Sequence, residues 1–515
     1  MGASSRSLEV ELKFSAEPAL ALPDLRGLVD TTRLQELSLR AAYFDTADLR
    51  LWRQGITLRH RVGEGPESGL WTLKLPHDAG GAALARTEVS WPGVRGPVPA
   101  EVTAVVRGLV RHAELRQVFE LSTTRGRMVL HDRAGNRIGE LDDDFVTVAG
   151  GPNDGLRFRQ LELELAEGAD GSDRAATVRA VADALASAGA RARDTAKFAK
   201  ALGPDAATSR AVAKQLSKRS RMADVVRASV EHALGRLLAH DYVLRLEAAD
   251  PRSEDVHQAR VATRRLRSDL KTLRALLDPV WNEHVRADLR WLGNLLGEVR
   301  DLDVLRQRLR PARADATEAG WFEIDAVLSE QRSAAIASLQ VGLDSERYLR
   351  LLDRLDAAAV SPPLSADEAA RGVAVHPGPR ARKALPRVVR APWRALRRRV
   401  RKAGKQPTDA QLHKIRIGAK QLRYASELAV PVGGKPARRT ATRAEHLQTV
   451  LGEHHDAVFA EAWLRRAATD LPPAAVLEAG RLIEAQRRDQ ADMRRAWRGA
   501  WRALADKKGR RWLRT

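Results

Sequence analysis

The stretch Glu9–Phe14 reads Glu-Val-Glu-Leu-Lys-Phe, in which charged and apolar residues alternate strictly. Successive side chains of a β-strand point to opposite faces, so this pattern predicts a strand with one charged face and one apolar face. The alternation recurs in Ile56–Val62, Trp71–Leu75 and Gln160–Leu165. The first 165 residues therefore read as a sheet, and residues 174–202 read as a helical stretch.

The predicted strands carry charges of both signs on one face. Glu9, Glu11 and Lys13 share a face, and other strands contribute the charged residues Arg59, Arg61, Lys74, Arg125, Arg127, Glu162 and Glu164. Charges inside a closed sheet are costly unless they hold ligands. Carboxylates suit a hard divalent cation, and Lys and Arg suit phosphate oxygens. This favours a metal–polyphosphate site, although the spacing alone is equally typical of a solvated sheet.

The positive charge of the 515-residue chain lies in its C-terminal part. The formal net charge is +22, yet residues 1–203 contain 27 Lys or Arg against 28 Asp or Glu. The surplus after residue 203 indicates a polyanionic partner or, alternatively, an Arg-rich composition. The chain has no cysteine, which excludes disulfides and thiolate chemistry. No apolar run is long enough for a membrane span or a secretory signal, so a cytoplasmic protein is expected.

The C-terminal part has helical periodicity and contains a repeat. His257–Arg267 and His413–Arg423 match at an offset of 156 residues. The motifs Leu296–Asp301 and Leu451–Asp456 match at an offset of 155. Two markers at nearly one offset predict a duplicated helical unit. We expect domains at 1–203 and 213–515 joined by a linker at 204–212, with the two copies at about 213–360 and 376–515.

Each copy carries basic residues at helical spacing of three and four, which places them on one helix face. The predicted basic faces comprise His257, Arg260, Arg264, Arg267 and Lys271 in the first copy, and His413, Arg416, Lys420 and Arg423 in the second. A further group, which includes Arg394, Arg398 and Arg401, is expected on a helix that follows Pro392. Stripes of like charge destabilise an isolated helix, so they usually meet anions.

The histidines of these faces have three interpretations: phosphate hydrogen bonding, a structural role and metal binding. Neighbouring cations disfavour a metal. The partner is less readily a nucleic acid, because single-strand binders use aromatic stacking platforms. Only Tyr424 adjoins either face.

The N-terminal motifs together resemble the CYTH family, also described as triphosphate tunnel metalloenzymes. The likeness covers about residues 5–202. It is carried by Glu9–Lys13, Tyr43–Thr46, Gly55–Arg61, Trp71–Lys74, Arg86–Glu88, Leu141–Asp144, Leu161–Leu165 and Lys197–Lys200. The resemblance implies an α+β domain built on an eight-stranded antiparallel tunnel that depends on Mg²⁺ or Mn²⁺. One departure is Ser90, which stands where the family pattern Arg-x-Glu-x-Glu has an acidic residue.

The resemblance also implies residue roles in the tunnel. The catalytic residues would be Glu9, Glu11, Lys13, Glu162 and Glu164. Metal would be held by Glu9, Glu11, Glu162 and Glu164, with Asp142 or Asp144 assisting. Phosphates would be gripped by Lys13, Arg59, Arg61, Lys74, Arg125 and Lys197, with Arg86 and Arg127 as weaker candidates.

The helical motifs resemble the CHAD domain, an all-α domain often found behind CYTH, over about residues 213–510. This resemblance implies that the basic faces bind inorganic polyphosphate and that the protein associates with polyphosphate granules. The two resemblances together favour a metal-dependent hydrolase of triphosphate or short polyphosphate fused to a polyphosphate-binding bundle. Two alternatives remain open: a non-catalytic polyphosphate receptor, and a nucleoside or RNA 5′-triphosphatase or cyclase.

Overall fold

The computed structural model describes residues 4–76, 84–166, 172–192, 196–203, 215–310, 318–365, 380–506 and 512–513. The chain divides into two compact units, Met1–Val212 and Ala213–Thr515. The linker expected at 204–212 lies outside the described residues, as does the segment 366–379 between the two copies of the repeat.

The N-terminal unit is a closed antiparallel barrel. Its strands are β1 (Ser5–Ala16), β2 (Asp30–Asp45), β3 (Thr57–Val62), β4 (Leu70–Pro76), β5 (Leu84–Pro92), β6 (Arg116–His131), β7 (Arg137–Ala149), β8 (Arg157–Leu165) and the short β9 (Arg191–Ala192). The order is β5-β4-β3-β2-β6-β7-β8-β1, and pairing of β1 with β5 closes the ring. Closure removes the unpaired sheet edges, and β9 adds two residues beside β1. The predicted eight-stranded tunnel is confirmed.

In the described part of this unit, four helices accompany the barrel: α1 (Arg50–Arg53), α2 (Ala100–Val110), α3 (Ser172–Ser187) and α4 (Lys197–Leu202). One apolar strand face packs outward against α3. Val181 and Leu185 of α3 join Phe14 and Leu163 in one buried cluster. Phe198 of α4 joins a second buried cluster, whose large members include Tyr43, Trp52, Phe119 and Leu121. The first cluster lies outside the barrel wall. In the second, Tyr43, Phe119 and Leu121 share a strand face with Arg59 and Arg125, so they lie with Phe198 inside the barrel, beside the charged residues.

The helical stretch predicted for residues 174–202 is wrong in its second half. Helix α3 ends at Ser187, and Gly189 then adopts a φ of 108°, which favours glycine and ends the helix. The chain next forms β9 and begins α4 at Lys197. This break aims α4 back at the barrel, so Lys197 reaches the charged interior.

The C-terminal unit is entirely helical in its described parts apart from isolated bridges. Its helices are α5 (Met222–Leu246), α6 (Ser253–Thr272), α7 (Pro279–Leu309), α8 (Glu318–Asp344), α9 (Glu346–Val360), α10 (Ala381–Ala403), α11 (Asp409–Ala467) and α12 (Pro473–Leu504). Gly434 has a φ of 62° and divides α11 into two segments. The predicted all-α bundle with an internal duplication is confirmed.

The two copies of the repeat use helices in the same order. The first basic face lies on α6 and the second on the first segment of α11, while Asp301 lies on α7 and Asp456 on the second segment of α11. Leu305, Trp321, Trp463 and Leu482 share one buried cluster. Helices of both copies therefore contribute to a common core.

Helix α10 does not begin after Pro392, as the sequence suggested. It begins at Ala381 and contains both Pro386 and Pro392. Each proline removes one backbone hydrogen bond, but Leu385, Val389 and Trp393 bury one apolar face of the helix. Tertiary packing therefore maintains a helix that the prolines alone would interrupt. In the described parts of the chain, no helix is long and apolar enough to cross a membrane.

Candidate functional sites

The register of three neighbouring strands places charged residues in rows across the barrel wall. The register of β7, β8 and β1 gives the rows Glu140–Glu164–Glu11 and Asp142–Glu162–Lys13. Glu11 is only 3% exposed, whereas the Glu164 side chain is partly buried and still in contact with solvent. Like charges on directly opposite residues repel, so the first row needs positive charge from elsewhere.

A small cavity lies inside the barrel. It is lined by Lys13, Tyr43, Thr57, Arg59, Lys74, Arg86, Glu162, Ala196, Lys197 and Phe198, and its volume is about 40 Å³. These residues come from β1 to β5, β8 and α4, so the charged faces of separate strands meet there. The space holds little more than a water molecule, because the charged side chains are paired with one another across it.

Lys74 is the centre of a first ionic cluster. Its Nζ lies 2.6 Å from a carboxylate oxygen of Glu9 and 2.5 Å from one of Glu88. Burial opposes the charge of this lysine, but Glu88 and Glu9 raise its pKa. Burial likewise opposes ionisation of Glu88, while Lys74 and Arg59 lower its pKa to about 2. Burial raises the pKa of Glu9, with Glu11 and Glu88 adding to the rise.

Arg125 and Lys197 form a second ionic cluster with acidic residues of β7 and β8. Arg125 donates hydrogen bonds of 2.8 Å to Asp144 and 3.3 Å to Glu162, and it also pairs with Asp142. Lys197 Nζ lies 2.7 Å from Glu162 and also pairs with Asp144. Although burial favours the neutral carboxyl, Lys197, Lys13 and Arg125 hold the pKa of Glu162 well below its usual range.

Asp142 is the least compensated carboxyl of this second cluster. Its Oδ1 is buried without a hydrogen-bond partner. Burial, together with Asp144, Glu140 and Glu162, raises the pKa of Asp142 to about 7 despite Arg125. A buried acceptor left unmatched is a site that a cation or a proton would occupy.

Three predicted phosphate ligands have other contacts. Arg61 lies 2.8 Å from Glu64, and Arg127 donates a 2.5 Å hydrogen bond to Glu140. Arg86 donates to the Gly55 carbonyl oxygen at 2.9 Å while still lining the cavity. Lys13 Nζ lies 2.7 Å from Glu11 and 3.9 Å from Glu162, so it links the two rows.

The donor set of the barrel fits a hard divalent cation. The candidate ligands are carboxylates only, Asp142 has an unmatched buried oxygen, and burial with Glu9, Glu88 and Glu11 raises the pKa of Glu164. Within the described ranges no three acidic or histidine side chains converge on one point, since basic side chains lie between them. Glu9, Glu11 and Glu164 would hold a metal on one side, and Asp142, Asp144 and Glu162 on the other.

A second, larger cavity lies among the helices and has a volume of about 240 Å³. The first copy of the repeat supplies His257, Arg260, Val261, Arg264, Arg300, Asp301, Val304, Leu305 and Arg308. The second supplies Arg416, His455, Asp456 and Phe459. The space would admit a few phosphate groups, and five arginines line it.

The two copies differ in one contact of this cavity. Arg260 of the first copy bonds Asp301 at 2.6 Å. Their equivalents Arg416 and Asp456 form no ion pair among the described residues, and Arg416 Nε is buried without an acceptor. Burial and the positive Arg264 lower the pKa of Arg416, although Asp456 opposes this. The Arg416 guanidinium of the second copy is therefore available to bind an external anion.

Lys420 and a histidine pair lie beside the same cavity. Burial, Arg264 and Arg416 lower the pKa of Lys420 to about 5, so its amine is neutral at pH 7. His413 Nδ1 lies 3.2 Å from His455 Nδ1, and burial, Arg416 and His413 lower the pKa of His455 to about 4. No carboxylate pairs with Lys420 in the described parts of the unit.

The remaining predicted basic residues lie outside this cavity. Arg267 and Lys271 follow Arg264 along α6. Arg423 pairs with Glu427 at 2.7 Å and with Glu445 at 2.9 Å, so its charge is already matched. The α10 residues Arg394, Arg398 and Arg401 are exposed.

Comparison with known proteins agrees with both units. A model of the CYTH domain matches residues 7–191, and a model of the CHAD domain matches residues 228–465. An uncharacterized protein of Mycobacterium tuberculosis (strain CDC 1551 / Oshkosh) is 32% identical over 478 residues, covering 88% of this chain and 87% of that protein. The chain belongs to the CYTH–CHAD family. Its barrel is the CYTH domain, and its helical cavity lies in the CHAD domain.

Two solved structures are similar to part of the chain. The CHAD domain from the plant Ricinus communis is 25% identical, with a TM-score of 0.45, and the match covers 58% of this chain and 96% of that one. PptA from Streptomyces chartreusis is 22% identical, with a TM-score of 0.44, and covers 55% of this chain and all of that one.

Sequence reasoning missed several site residues. Glu88 lies two residues from Arg86 on the same strand face, so its alternation was a usable signal. Tyr43 lines the CYTH tunnel but sits in a stretch that reads as apolar. Arg300 and Arg308 of the CHAD cavity lie on α7, outside either basic face, and only the packing of α7 on α6 brings them there.

Proposed function

We propose that the CYTH domain is a metal-dependent hydrolase of inorganic triphosphate or short polyphosphate, and that the CHAD domain binds polyphosphate. The observation that carries the proposal is the tunnel wall, where two lysines are each matched by two carboxylates. Lys74 with Glu9 and Glu88 is one such group, and Lys197 with Asp144 and Glu162 is the other.

A phosphate chain and a divalent cation together suit this wall. The phosphate oxygens would bind the lysines and arginines. The cation would bind the carboxylates with which these basic side chains are paired in the tunnel. The exchange keeps every buried charge compensated, which an incoming triphosphate alone would not. Mg²⁺ or Mn²⁺, when bound, supplies charge screening and Lewis acidity at the phosphate oxygens.

The residues of the chain have separable tasks in this reaction. Lys74, Lys197 and Arg125 bind the non-bridging oxygens and stabilise the charge that develops on the departing phosphate. Asp142, whose buried Oδ1 has no hydrogen-bond partner, is the carboxylate most in need of the cation. Tyr43 and Phe198 close one side of the cavity and limit access of bulk water.

The polyphosphate role of the CHAD domain rests on its unmatched cations. Arg416 and Lys420 have no carboxylate partner among the described residues, and they adjoin a cavity lined by further arginines. Association with polyphosphate granules would follow from such binding.

Phosphate release from tripolyphosphate by the full-length protein tests the proposal. The assay compares Mg²⁺, Mn²⁺ and EDTA for the wild type, for Glu11→Gln and for Glu36→Gln, an exposed glutamate of β2 that serves as the control. We expect metal-dependent release that Glu11→Gln reduces at least about 100-fold and that Glu36→Gln leaves unchanged. Binding without release in any metal would instead support the receptor alternative, and release from RNA 5′-ends alone would support the third.

A further inference from the structure

A group of basic residues outside the CHAD cavity lies on three different helices. This group, which we term the basic track, comprises Arg267, Lys271 and Arg274 near the end of α6, Arg286 and Arg290 of α7, and Arg399 of α10. On α6, Arg267 and Lys271 continue the spacing of three and four from Arg264, and Arg274 follows just after the helix ends. On α7 the two arginines are one turn apart, and α6 packs on α7.

The members of the track are close enough to repel one another. Burial lowers the pKa of Lys271, and so do Arg286 and Arg399 from the two other helices. Burial, Arg290 and Arg286 lower the pKa of Arg267. Since such effects fall off with distance, α6, α7 and α10 present their charges to one shared surface.

No acidic side chain of the described residues forms an ion pair with the track. Arg286 Nε and Arg399 Nη1 are buried nitrogens without an acceptor. Elsewhere in the same unit arginines are matched, as Arg306 is by Asp325 at 2.6 Å. Leaving so many charges uncompensated is costly unless an external anion binds them.

The track is continuous with the cavity at Arg264. Arg264 lines the cavity and also contributes to the lowered pKa of Arg267, the first residue of the track. At the other end of the track, the Arg399 guanidinium packs on α11 at Gly418, where a β-carbon would come within 2.7 Å of Nη1. Gly418 lies on the face of α11 opposite Arg416 and Lys420, so Arg399 approaches this helix outside its basic face.

We propose that the basic track binds the part of a long polyphosphate chain that extends beyond the cavity. From Arg264 to Lys271 the basic residues rise about 10 Å along α6, and Arg274 lies beyond, so a tripolyphosphate held in the cavity does not reach the end of the track. The CHAD domain thereby selects long chains over short ones. No aromatic side chain belongs to the track, which favours a chain of phosphates over a nucleic acid. This inference rests on the proposed polyphosphate binding by the CHAD domain.

Binding of polyphosphate of about 60 units and of tripolyphosphate, each to the full-length protein in EDTA and at several salt concentrations, tests the proposal. The track variant is Arg286→Ala with Arg290→Ala, and the cavity variant is Arg416→Ala. The control is Arg465→Ala with Arg487→Ala, which removes equal charge from two arginines that pair with Glu461. Thermal unfolding establishes that each variant is folded.

We expect the track variant to bind the long chain about 100-fold more weakly and to lower the salt slope by about two, with tripolyphosphate binding unchanged. The cavity variant should weaken both ligands. If the track variant binds the long chain as tightly as the control variant does, while the cavity variant still binds it more weakly, the role of the basic track would be overturned and binding by the cavity would stand. Absence of polyphosphate binding in the wild type would overturn the proposed function instead. If RNA displaces the long polyphosphate from the protein equally well at matched salt, the proposal that polyphosphate is the ligand of the track would be overturned.

Discussion

Glu11 and Glu164 lie directly opposite each other on β1 and β8, with no residue between them in the register. Glu9 and Glu88 lie near enough that, together with burial and Glu11, they raise the pKa of Glu164. The protein therefore keeps four carboxylates together at one side of the tunnel at the expense of stability. A divalent cation bound among these carboxylates would relieve their repulsion.

A substitution at Glu164 distinguishes the effect of this carboxylate on protein stability from its effect on metal binding and phosphate release. We expect Glu164→Gln to raise the stability of the metal-free protein by up to about 1 kcal/mol, because the variant removes the like-charge pair. The same variant should lose most of the thermal stabilisation that Mg²⁺ or Mn²⁺ gives and should release less phosphate. Thermal unfolding in EDTA and in metal, with Glu36→Gln as the control, measures both effects. A metal response equal to that of the wild type would remove Glu164 from the ligand set.

Ser90 marks where this tunnel departs from the family pattern. Its hydroxyl lies 3.1 Å from that of Thr72, so the position is polar but uncharged. On the strand face of Glu88, a carboxylate at 90 would add a ligand to the acidic side. We expect Ser90→Glu to lower the metal concentration for half-maximal phosphate release by about tenfold, and Ser90→Ala to leave it unchanged. Equal metal dependence in all three proteins would show that position 90 lies outside the metal site.

Lys420 links polyphosphate binding to pH. Its pKa of about 5 in the free protein must rise when an anion binds, so binding takes up a proton at pH 7 and the affinity falls as the pH rises above about 5. Lys420→Arg, which stays charged, should reduce this uptake by about one proton and flatten the pH dependence. Calorimetry in two buffers of different ionisation enthalpy measures the uptake.

The histidines near Lys420 contribute the remaining proton uptake, since burial and neighbouring cations also lower the pKa of His257 and His413. The matched control is Arg264→Lys, which makes the reverse exchange at the position of the first copy that is equivalent to Lys420. Identical uptake in the wild type and Lys420→Arg would contradict a neutral lysine.

Asp269 predicts a pH dependence of stability. It is 2% exposed, its Oδ1 has no hydrogen-bond partner, and burial raises its pKa to about 7, with Glu427 adding to the rise and Arg265 opposing it. The folded protein thus keeps a proton that the unfolded chain loses above about pH 4. Stability should therefore fall as the pH rises from about 4 to about 7.

Asn at this position removes the cost of ionisation. Asp269→Asn should raise the unfolding temperature at pH 8 and change it little at pH 5, whereas the exposed Asp470→Asn should change neither. Thermal unfolding at the two pH values gives the comparison. An equal shift at both values would mean that Asp269 is ionised throughout.

The barrel was predictable because its signal is local. The alternation at Glu9–Phe14 and in the later strands fixes which side chains face inward, and the family motifs supply the closure. The pairing partners were not predictable. That Lys74 bridges Glu9 and Glu88, or that Arg125 meets Asp144, depends on how far the strands are staggered around the ring.

In the helical part, likewise, features within one helix were predictable from the sequence, whereas contacts between helices were not. The spacing of His257–Arg267 and His413–Arg423 correctly placed each basic face on one helix. It did not show that Arg423 is matched by acidic residues, or that Arg286, Arg290 and Arg399 join the same surface from other helices. The prolines of α10 were misread because buried contacts of Leu385 and Trp393 outweigh two lost hydrogen bonds.

The CHAD cavity takes side chains from both copies of the repeat, and this has a consequence for shorter relatives. A polypeptide with one copy has half of the lining, so it would have to associate as a symmetric pair to enclose the space. In such a pair the two Arg–Asp contacts would be identical. When both copies belong to one chain, the two contacts can differ. Here Arg260 pairs with Asp301, whereas Arg416 forms no ion pair with Asp456 among the described residues.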